Sequence, residues 1–272
     1  MAMLTTNQLV ALAEDVVKIS IAAGREIMSV YSDPDVKLKD KADKSPLTVA
    51  DLKAHNLIVA ALDKLSPQLP ILSEESMPPS FADRSKWDAY WLVDPLDGTK
   101  EFLSRNGEFT VNIALIQKHK PVLGVVYVPA NETVYWGVPG AGAFRAVGAA
   151  AAQPIQVTKS AARPLRIVGS RSHAGGSLEG YLSRVGEHVM VPTGSSLKLC
   201  LIAEGKADLY PRLGPTSEWD TAAAHGIVVA AGGDVITTNG EPLQYNAKDD
   251  ILNPAFIVFG DKARNWLQPL QA

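Results

Sequence analysis

The stretch Trp91-Leu92-Val93-Asp94-Pro95-Leu96-Asp97-Gly98-Thr99 constrains this chain more than any other. Aromatic and apolar residues run into Asp94 as a buried strand would, and Pro95 biases Asp94 towards extended backbone while withdrawing one amide donor. The expectation is a strand that ends here. Gly98 permits a tight backbone that turns the Asp94 and Asp97 carboxylates towards one point and leaves free amides beyond them. Such a grouping suits a phosphate held through a hard cation such as Mg²⁺, which takes carboxylate, carbonyl and water oxygens and shares phosphate oxygens with a substrate. In isolation the same residues describe an acidic surface turn, because Asp-x-x-Asp recurs by chance in loops.

Apolar residues at Leu9, Leu12, Val16, Ile19, Ala23, Ile27 and Val30 are spaced by three and four, which predicts one buried face of a helix reaching Tyr31. Asp33-Pro34 stops it, and Lys37 to Lys44 reads as a charged loop. A second helix is expected from about Val49 to Leu65, then a short strand at Ile71 to Ser73 that delivers Glu74 and Glu75. Beyond the Asp-rich stretch, the β-rich runs Val111–Ile116, Val122–Val128, Thr133–Val138 and Ala143-Phe144 are separated by turn residues and predict an antiparallel meander. From Leu165 onward strand-like and helix-like segments alternate as in α/β domains, and Glu218-Trp219-Asp220 opens an apolar helix closed by Gly232-Gly233. The Ala/Gly-rich segment Val147 to Gln153 is the candidate hinge, dividing the chain into halves 1–150 and 151–272.

A chain of 272 residues, 46% hydrophobic and 20% charged, can bury a full core. Its formal net charge of -3 excludes a long-range positive field that would recruit nucleic acid or anionic lipid, so an anionic substrate needs local cations. Cys200 is the only cysteine, which excludes an internal disulfide and a thiolate zinc cluster, and its apolar neighbours predict a packed thiol. No apolar run reaches membrane-spanning length, and the first residues lack the pattern of a signal peptide.

Asp-Pro-Leu-Asp-Gly-Thr followed by Phe102 resembles the signature of the lithium-sensitive, Mg²⁺-dependent phosphomonoesterase superfamily that includes inositol monophosphatases and fructose bisphosphatases. Thr99-Lys100-Glu101-Phe102, continuing into Asn106-Gly107-Glu108-Phe109-Thr110-Val111-Asn112, is similar to the bacterial 3'(2'),5'-bisphosphate nucleotidase branch. Inositol phosphatases usually carry Thr-Asn where this chain has Lys100-Glu101. The resemblance runs from the first helix to Phe259 and implies a layered αβαβα sandwich, an α+β half followed by an α/β half.

It also implies a site. Glu74, Asp94, Asp97 and Asp220 would ligate two or more Mg²⁺ ions together with the Leu96 carbonyl, and Li⁺ would inhibit. Trp219-Asp220 matches the motif that closes the second metal position. Asp220 has a structural explanation as well, since Asp is a favoured helix N-cap. Thr48 and Asp51 read as a variant capping box, whereas in the family an Asp at position 51 accepts a hydrogen bond from Thr99, the pair that orients and deprotonates the attacking water. Glu74, Leu96, Asp97, Gly98, Thr99 and Asp220 would line the transferred phosphate. Ser170 and His173 of Ser-Arg-Ser-His, Ser195 and Lys198 of Ser-x-x-Lys, and Arg212 would meet the nucleoside and its second phosphate. The remaining histidines show no ligand spacing and read as structural or solvated.

The implied activity is removal of the 3'-phosphate of adenosine 3',5'-bisphosphate or of its sulfated form, without a phosphoenzyme. The alternatives are an inositol or sugar phosphatase, and a catalytically silent metal or nucleotide sensor. With neither a membrane-spanning run nor a signal pattern, cytosolic residence is the expectation, the family resemblance adds peripheral attachment to the cytoplasmic face of the inner membrane as a variant, and the oligomeric state is open.

Overall fold

A computed structural model describes residues 3–31, 38–40, 46–169 and 176–270. In chain order the helices are α1 (Thr6–Tyr31), α2 (Val49–Leu62), α3 (Phe81–Arg84), α4 (Thr99–Leu103), α5 (Gly176–Val185), α6 (Leu197–Ala203) and α7 (Glu218–Ala230). The strands of the first half are β1 (Leu38–Asp40), β2 (Pro46–Thr48), β3 (Ile71–Ser73), β4 (Ala89–Asp97), β5 (Thr110–Gln117), β6 (Lys120–Val128), β7 (Thr133–Val138), β8 (Gly142–Val147) and β9 (Gln153–Ile155). Those of the second are β10 (Leu165–Gly169), β11 (His188–Pro192), β12 (Leu209–Arg212), β13 (Asp234–Thr237) and β14 (Phe256–Phe259).

Strands β3 to β9 form one seven-stranded sheet in sequence order, and the second sheet has the order β11-β10-β12-β14-β13. In the first, β3 and β4 are parallel and the remaining pairs antiparallel, so the predicted meander is present. The central strands β4 to β7 are largely buried on both faces, and the period of two sorts their residues into separate cores. Trp91, Val93, Val111, Ile113, Leu115 and Val125 pack with Leu12, Val16, Ile27, Ala54 and Ile58 of α1 and α2. Their neighbours Tyr90, Leu92, Ala114, Ile116 and Val126 pack with Leu199 and Ile202 of α6 and Ala223, Ile227 and Val228 of α7. That middle core also takes Tyr210, Phe256 and Val258 from the second sheet. On the far side, Ile167, Leu209 and Ile257 meet Tyr181 and Val185 of α5 together with Trp266. Helices, sheet, helices, sheet and helix are therefore stacked as five layers.

Sequence chemistry accounts for how the layers close. Thr5 and Gln8 cap α1 reciprocally, the Thr5 amide donating to Gln8 Oε1 at 2.9 Å and the Gln8 amide to Thr5 Oγ1 at 3.4 Å. Gly124 lets α7 lie directly on β6, since a β-carbon there would stand 1.9 Å from the Ala223 carbonyl oxygen.

Two expectations are corrected. The charged stretch read as a loop contains β1, which pairs antiparallel with β2, because a two-stranded ribbon can rest on main-chain hydrogen bonds without an apolar pattern to announce it. Strand β4 does not end at Pro95. Asp94 pairs with Asn112 and Asp97 with Thr110, so β4 spends one more residue than β5 between these pairs. That bulge leaves a position unpaired, where a residue without an N–H is tolerated. The Ala/Gly-rich segment lies between β8 and β9 of the same sheet, and the chain passes to the second sheet between Ile155 and Leu165.

Candidate active site

The parallel pairing of β3 with β4 sets Ser73 against Val93, and the Glu74 amide donates to the Val93 carbonyl at 3.1 Å, which brings Glu74 beside Asp94. Helix α7 approaches from the middle layer and contributes Asp220. Carboxylate oxygens of Glu74, Asp94 and Asp220 lie within 4.8 Å of one another. Asp94 is 1% exposed. Burial pushes its carboxyl well up, reinforced by the charges of Glu74, Asp97, Asp220 and Asp51. Burial likewise raises Asp220 to about 7, with Asp97 adding to it while the Ser217 amide opposes. Clustered carboxylates repel one another, and an all-oxygen donor set suits a hard divalent cation. The residues therefore fit a metal ion such as Mg²⁺.

Each aspartate is held by one oxygen. The Leu96 amide donates to Asp94 Oδ1 at 3.1 Å. Asp220 Oδ2 accepts from Thr216 Oγ1 at 2.9 Å and from the Ser217 amide at 3.0 Å. Asp97 Oδ2 accepts from the Ser196 amide at 2.6 Å. Asp220 is thus not the N-cap expected from its residue type. Ser217 caps α7, and Asp220 is the third residue of a capping box, where its carboxylate still reaches back to the N-cap amide.

Asp97 is the one predicted carboxylate ligand outside the three-carboxylate group. Burial raises it to about 6, opposed first by Lys198 and then by the Ser196 amide. Leu96 is buried at the end of β4, and Gly98 and Thr99 begin α4, with Gly98 at φ 93° as its N-cap. Asp51 is the third residue of α2, 1% exposed, and near enough to raise Asp94. Strand β2, which runs straight into α2, lies against the α4 turn that Thr99 starts.

Among the predicted substrate contacts, Ser170 and His173 lie outside the described residues. The Ser195 hydroxyl faces main chain, donating to the Glu108 carbonyl at 2.6 Å and lying 3.0 Å from that of Asp97. Lys198 is 8% exposed, its Nζ donates to the Ser195 carbonyl at 2.6 Å, and it sits 5.9 Å from the centre of the Tyr210 ring. Burial lowers its pKa, Asp97 opposes that shift, and the nearby positive charge of Arg212 deepens it. Arg212 ends β12 and donates through Nη2 to the Pro215 carbonyl at 2.5 Å.

The other histidines hold structural bonds. His55 Nδ1 is 2.9 Å from Ser73 Oγ, His119 Nδ1 2.8 Å from the Tyr245 carbonyl, and His225 Nδ1 2.9 Å from the Tyr245 hydroxyl. Burial drives His225 down to about 3, so it stays neutral. Cys200 is fully buried in the middle core. The site also engages Ser196, Thr110 and Asn112, which were not singled out from the sequence. For Thr110 and Asn112 the available signal was two polar residues two positions apart in a mostly apolar run.

The five-layer fold and this carboxylate cluster define the class: the chain belongs to the inositol monophosphatase family, whose model matches residues 8–265. Among its relatives, the 3'(2'),5'-bisphosphate nucleotidase CysQ of Salmonella typhimurium is 50% identical over 246 residues, 90% of this chain and 98% of that protein. The protein of the same name from Haemophilus influenzae is 36% identical and covers 97% of each chain. The crystal structure of CysQ from Bacteroides thetaiotaomicron, described as a bacterial member of the inositol monophosphatase family, superposes with a TM-score of 0.82 at 44% identity over 93% of this chain and 98% of that one. No helix among the described residues is long and apolar enough to cross a membrane.

Proposed function

We propose that this protein is a Mg²⁺-dependent phosphomonoesterase that hydrolyses adenosine 3',5'-bisphosphate to AMP and phosphate, and accepts the 3'-phosphoadenylyl sulfate analogue by the same chemistry. The observation that carries the reading is the meeting of Glu74, Asp94 and Asp220 at the Asp-Pro-Leu-Asp-Gly-Thr turn of a chain half identical to a bisphosphate nucleotidase.

In this reading Glu74, Asp94, Asp97, Asp220 and the Leu96 carbonyl hold two or more Mg²⁺ ions, and Li⁺ inhibits, as the family resemblance implies. Mg²⁺ held there would neutralise phosphate charge, lower the pKa of the attacking water and stabilise the leaving oxygen. The chain's own part is to align and to move one proton. Asp51 accepts the hydroxyl proton of Thr99, which frees the Thr99 oxygen to take a proton from water, since a neutral hydroxyl cannot otherwise act as a base. Gly98 and Thr99 border the transferred phosphate. Lys198 and Arg212 supply positive charge for the 5'-phosphate, supported by their mutual proximity beside Asp97 and Asp220. Ser170, His173 and Ser195 complete the nucleoside side. The 1–150 half then carries most metal ligands and the proton relay, and the 151–272 half carries Asp220 and the nucleotide contacts. A cytoplasmic location accompanies this reading, consistent with a single buried cysteine.

Phosphate release from a panel of adenosine 3',5'-bisphosphate, 3'-AMP, fructose 1,6-bisphosphate and inositol 1-phosphate, with and without Mg²⁺, tests it. The bisphosphate should be preferred and Mg²⁺ required. Preference for inositol 1-phosphate would overturn the nucleotidase reading, and no release from any ester would favour a sensor.

A further inference from the structure

Strand β5 is buried along its whole length, yet besides Gln117 at its far end it carries two polar side chains, Thr110 at 0% and Asn112 at 1% exposure, separated by two positions and so on one face. Buried polar groups persist where their partners are supplied, and an unmatched one costs on the order of 1 to 3 kcal/mol. Here the partners converge on one carboxylate. Asp97 Oδ2 accepts from the Ser196 amide at 2.6 Å and from Asn112 Nδ2 at 3.4 Å, and the Thr110 hydroxyl, 3.4 Å from the same oxygen, donates at 3.0 Å to Asn112 Oδ1 and so braces the asparagine. Ser196 is 2% exposed and arrives from the second half of the chain, just before α6. Its hydroxyl donates to Asn112 Oδ1 at 2.7 Å and lies 2.9 Å from Thr110 Oγ1. With Oδ1 of Asn112 accepting from Ser196, the amide nitrogen is turned to Asp97, so the orientation of Asn112 is set by its own bonds. Among the described residues these hydrogen bonds all fall on Oδ2 and leave Asp97 Oδ1 clear.

We propose that Thr110 and Asn112 are positioning residues of the metal site, which together with Ser196 hold Asp97 by Oδ2 and reserve its Oδ1 for a cation. The proposal rests on the reading that these carboxylates bind metal. A ligating carboxylate free to rotate must lose that freedom when the ion arrives, whereas one already held presents its second oxygen in a fixed direction. The β4 bulge makes this possible. By adding a residue between Asp94 and Asp97, it sets both aspartates opposite the two polar positions of β5. Because Ser196 closes the network from the other half, the direction of Asp97 depends on both halves of the molecule.

Mn²⁺ binding without substrate, followed by calorimetry or by the electron paramagnetic resonance of the free ion, separates this role from packing. Thr110→Val keeps the branched shape and removes the hydroxyl; Thr110→Ser keeps the hydroxyl and removes a methyl. Thr110→Val and Asn112→Ala should bind Mn²⁺ about 10- to 100-fold more weakly, the usual effect of removing a partner of a metal ligand. Thr110→Ser should bind as the wild type does, and all variants should unfold in one cooperative transition. Wild-type affinity in folded Thr110→Val would overturn the proposal, as would equal losses in Thr110→Val and Thr110→Ser, which indicate packing. If Asn112→Ala fails to fold, the Thr110 pair decides alone. Absence of Mn²⁺ binding in the wild type would instead remove the metal reading itself.

Discussion

A β-carbon on Gly98 would stand 2.2 Å from the Ser195 hydroxyl oxygen, so the turn after Asp97 and the loop from the second half interlock at a glycine. Gly98 also holds φ at 93°, in the left-handed region. Gly98→Ala therefore combines a clash with about 1 to 3 kcal/mol of backbone strain. Thermal unfolding should show lower stability, and kcat/KM should fall because Asp97 and Thr99 flank the displaced residue. Wild-type stability and turnover would show that the loop yields without cost.

Asp94→Asn keeps shape and removes a charge that neighbouring carboxylates repel. The metal-free variant should be at least as stable as the metal-free wild type, while Mg²⁺-dependent turnover disappears. Near wild-type turnover in Mg²⁺ would exclude Asp94 as a ligand.

The raised carboxyls also fix the pH response of the metal-free protein. Asp97 at about 6 and Asp220 at about 7 bind protons more tightly in the folded chain than an ordinary aspartate does at 3.8. Below that value both states are protonated and there is no difference. As pH rises from there to about 7, the folded state must give up protons it holds tightly, so stability falls. Mg²⁺ binds the ionised cluster and competes with those protons. The rise in unfolding temperature on adding Mg²⁺ should accordingly grow between pH 4 and pH 7. A metal-induced shift independent of pH would contradict the raised values.

Asp51→Asn and Thr99→Ala should each lower kcat by about 10²- to 10⁴-fold, the range for general-base catalysis. A double variant should lose little more than either single one, because both act on one proton. Multiplicative losses would mean the residues act independently.

Arg212→Ala should reduce kcat/KM for adenosine 3',5'-bisphosphate by the worth of a charge-assisted hydrogen bond, about 1.5 to 3 kcal/mol. Hydrolysis of 3'-AMP, which has no 5'-phosphate, should change far less. Lys198→Met, which keeps the buried stem but drops the ammonium, should discriminate in the same way. Equal losses on both substrates would assign these cations to the fold, where Lys198 already holds the Ser195 carbonyl.

The local signals in this sequence are strong where one period governs a long segment. The spacing of Leu9 to Ile27 describes α1, and the β-rich runs from Val111 to Phe144 describe the meander, because each element buries a face that its own residues define. The Asp-Pro-Leu-Asp-Gly-Thr turn announces its chemistry only through its resemblance to a family signature, since by themselves the same residues also describe an acidic surface turn. What the sequence left open is everything that depends on a second segment. The bulge at Pro95 exists only against the register of β5, and Asp220 is placed by a cap that uses Ser217. Ser196 meets Asp97 across 99 positions of chain. Hydrogen bonds and charge repulsion act through space over a few ångströms, so which oxygen of each carboxylate is held, and which carboxyls are pushed up, was decided by the stacking of the two sheets around α6 and α7.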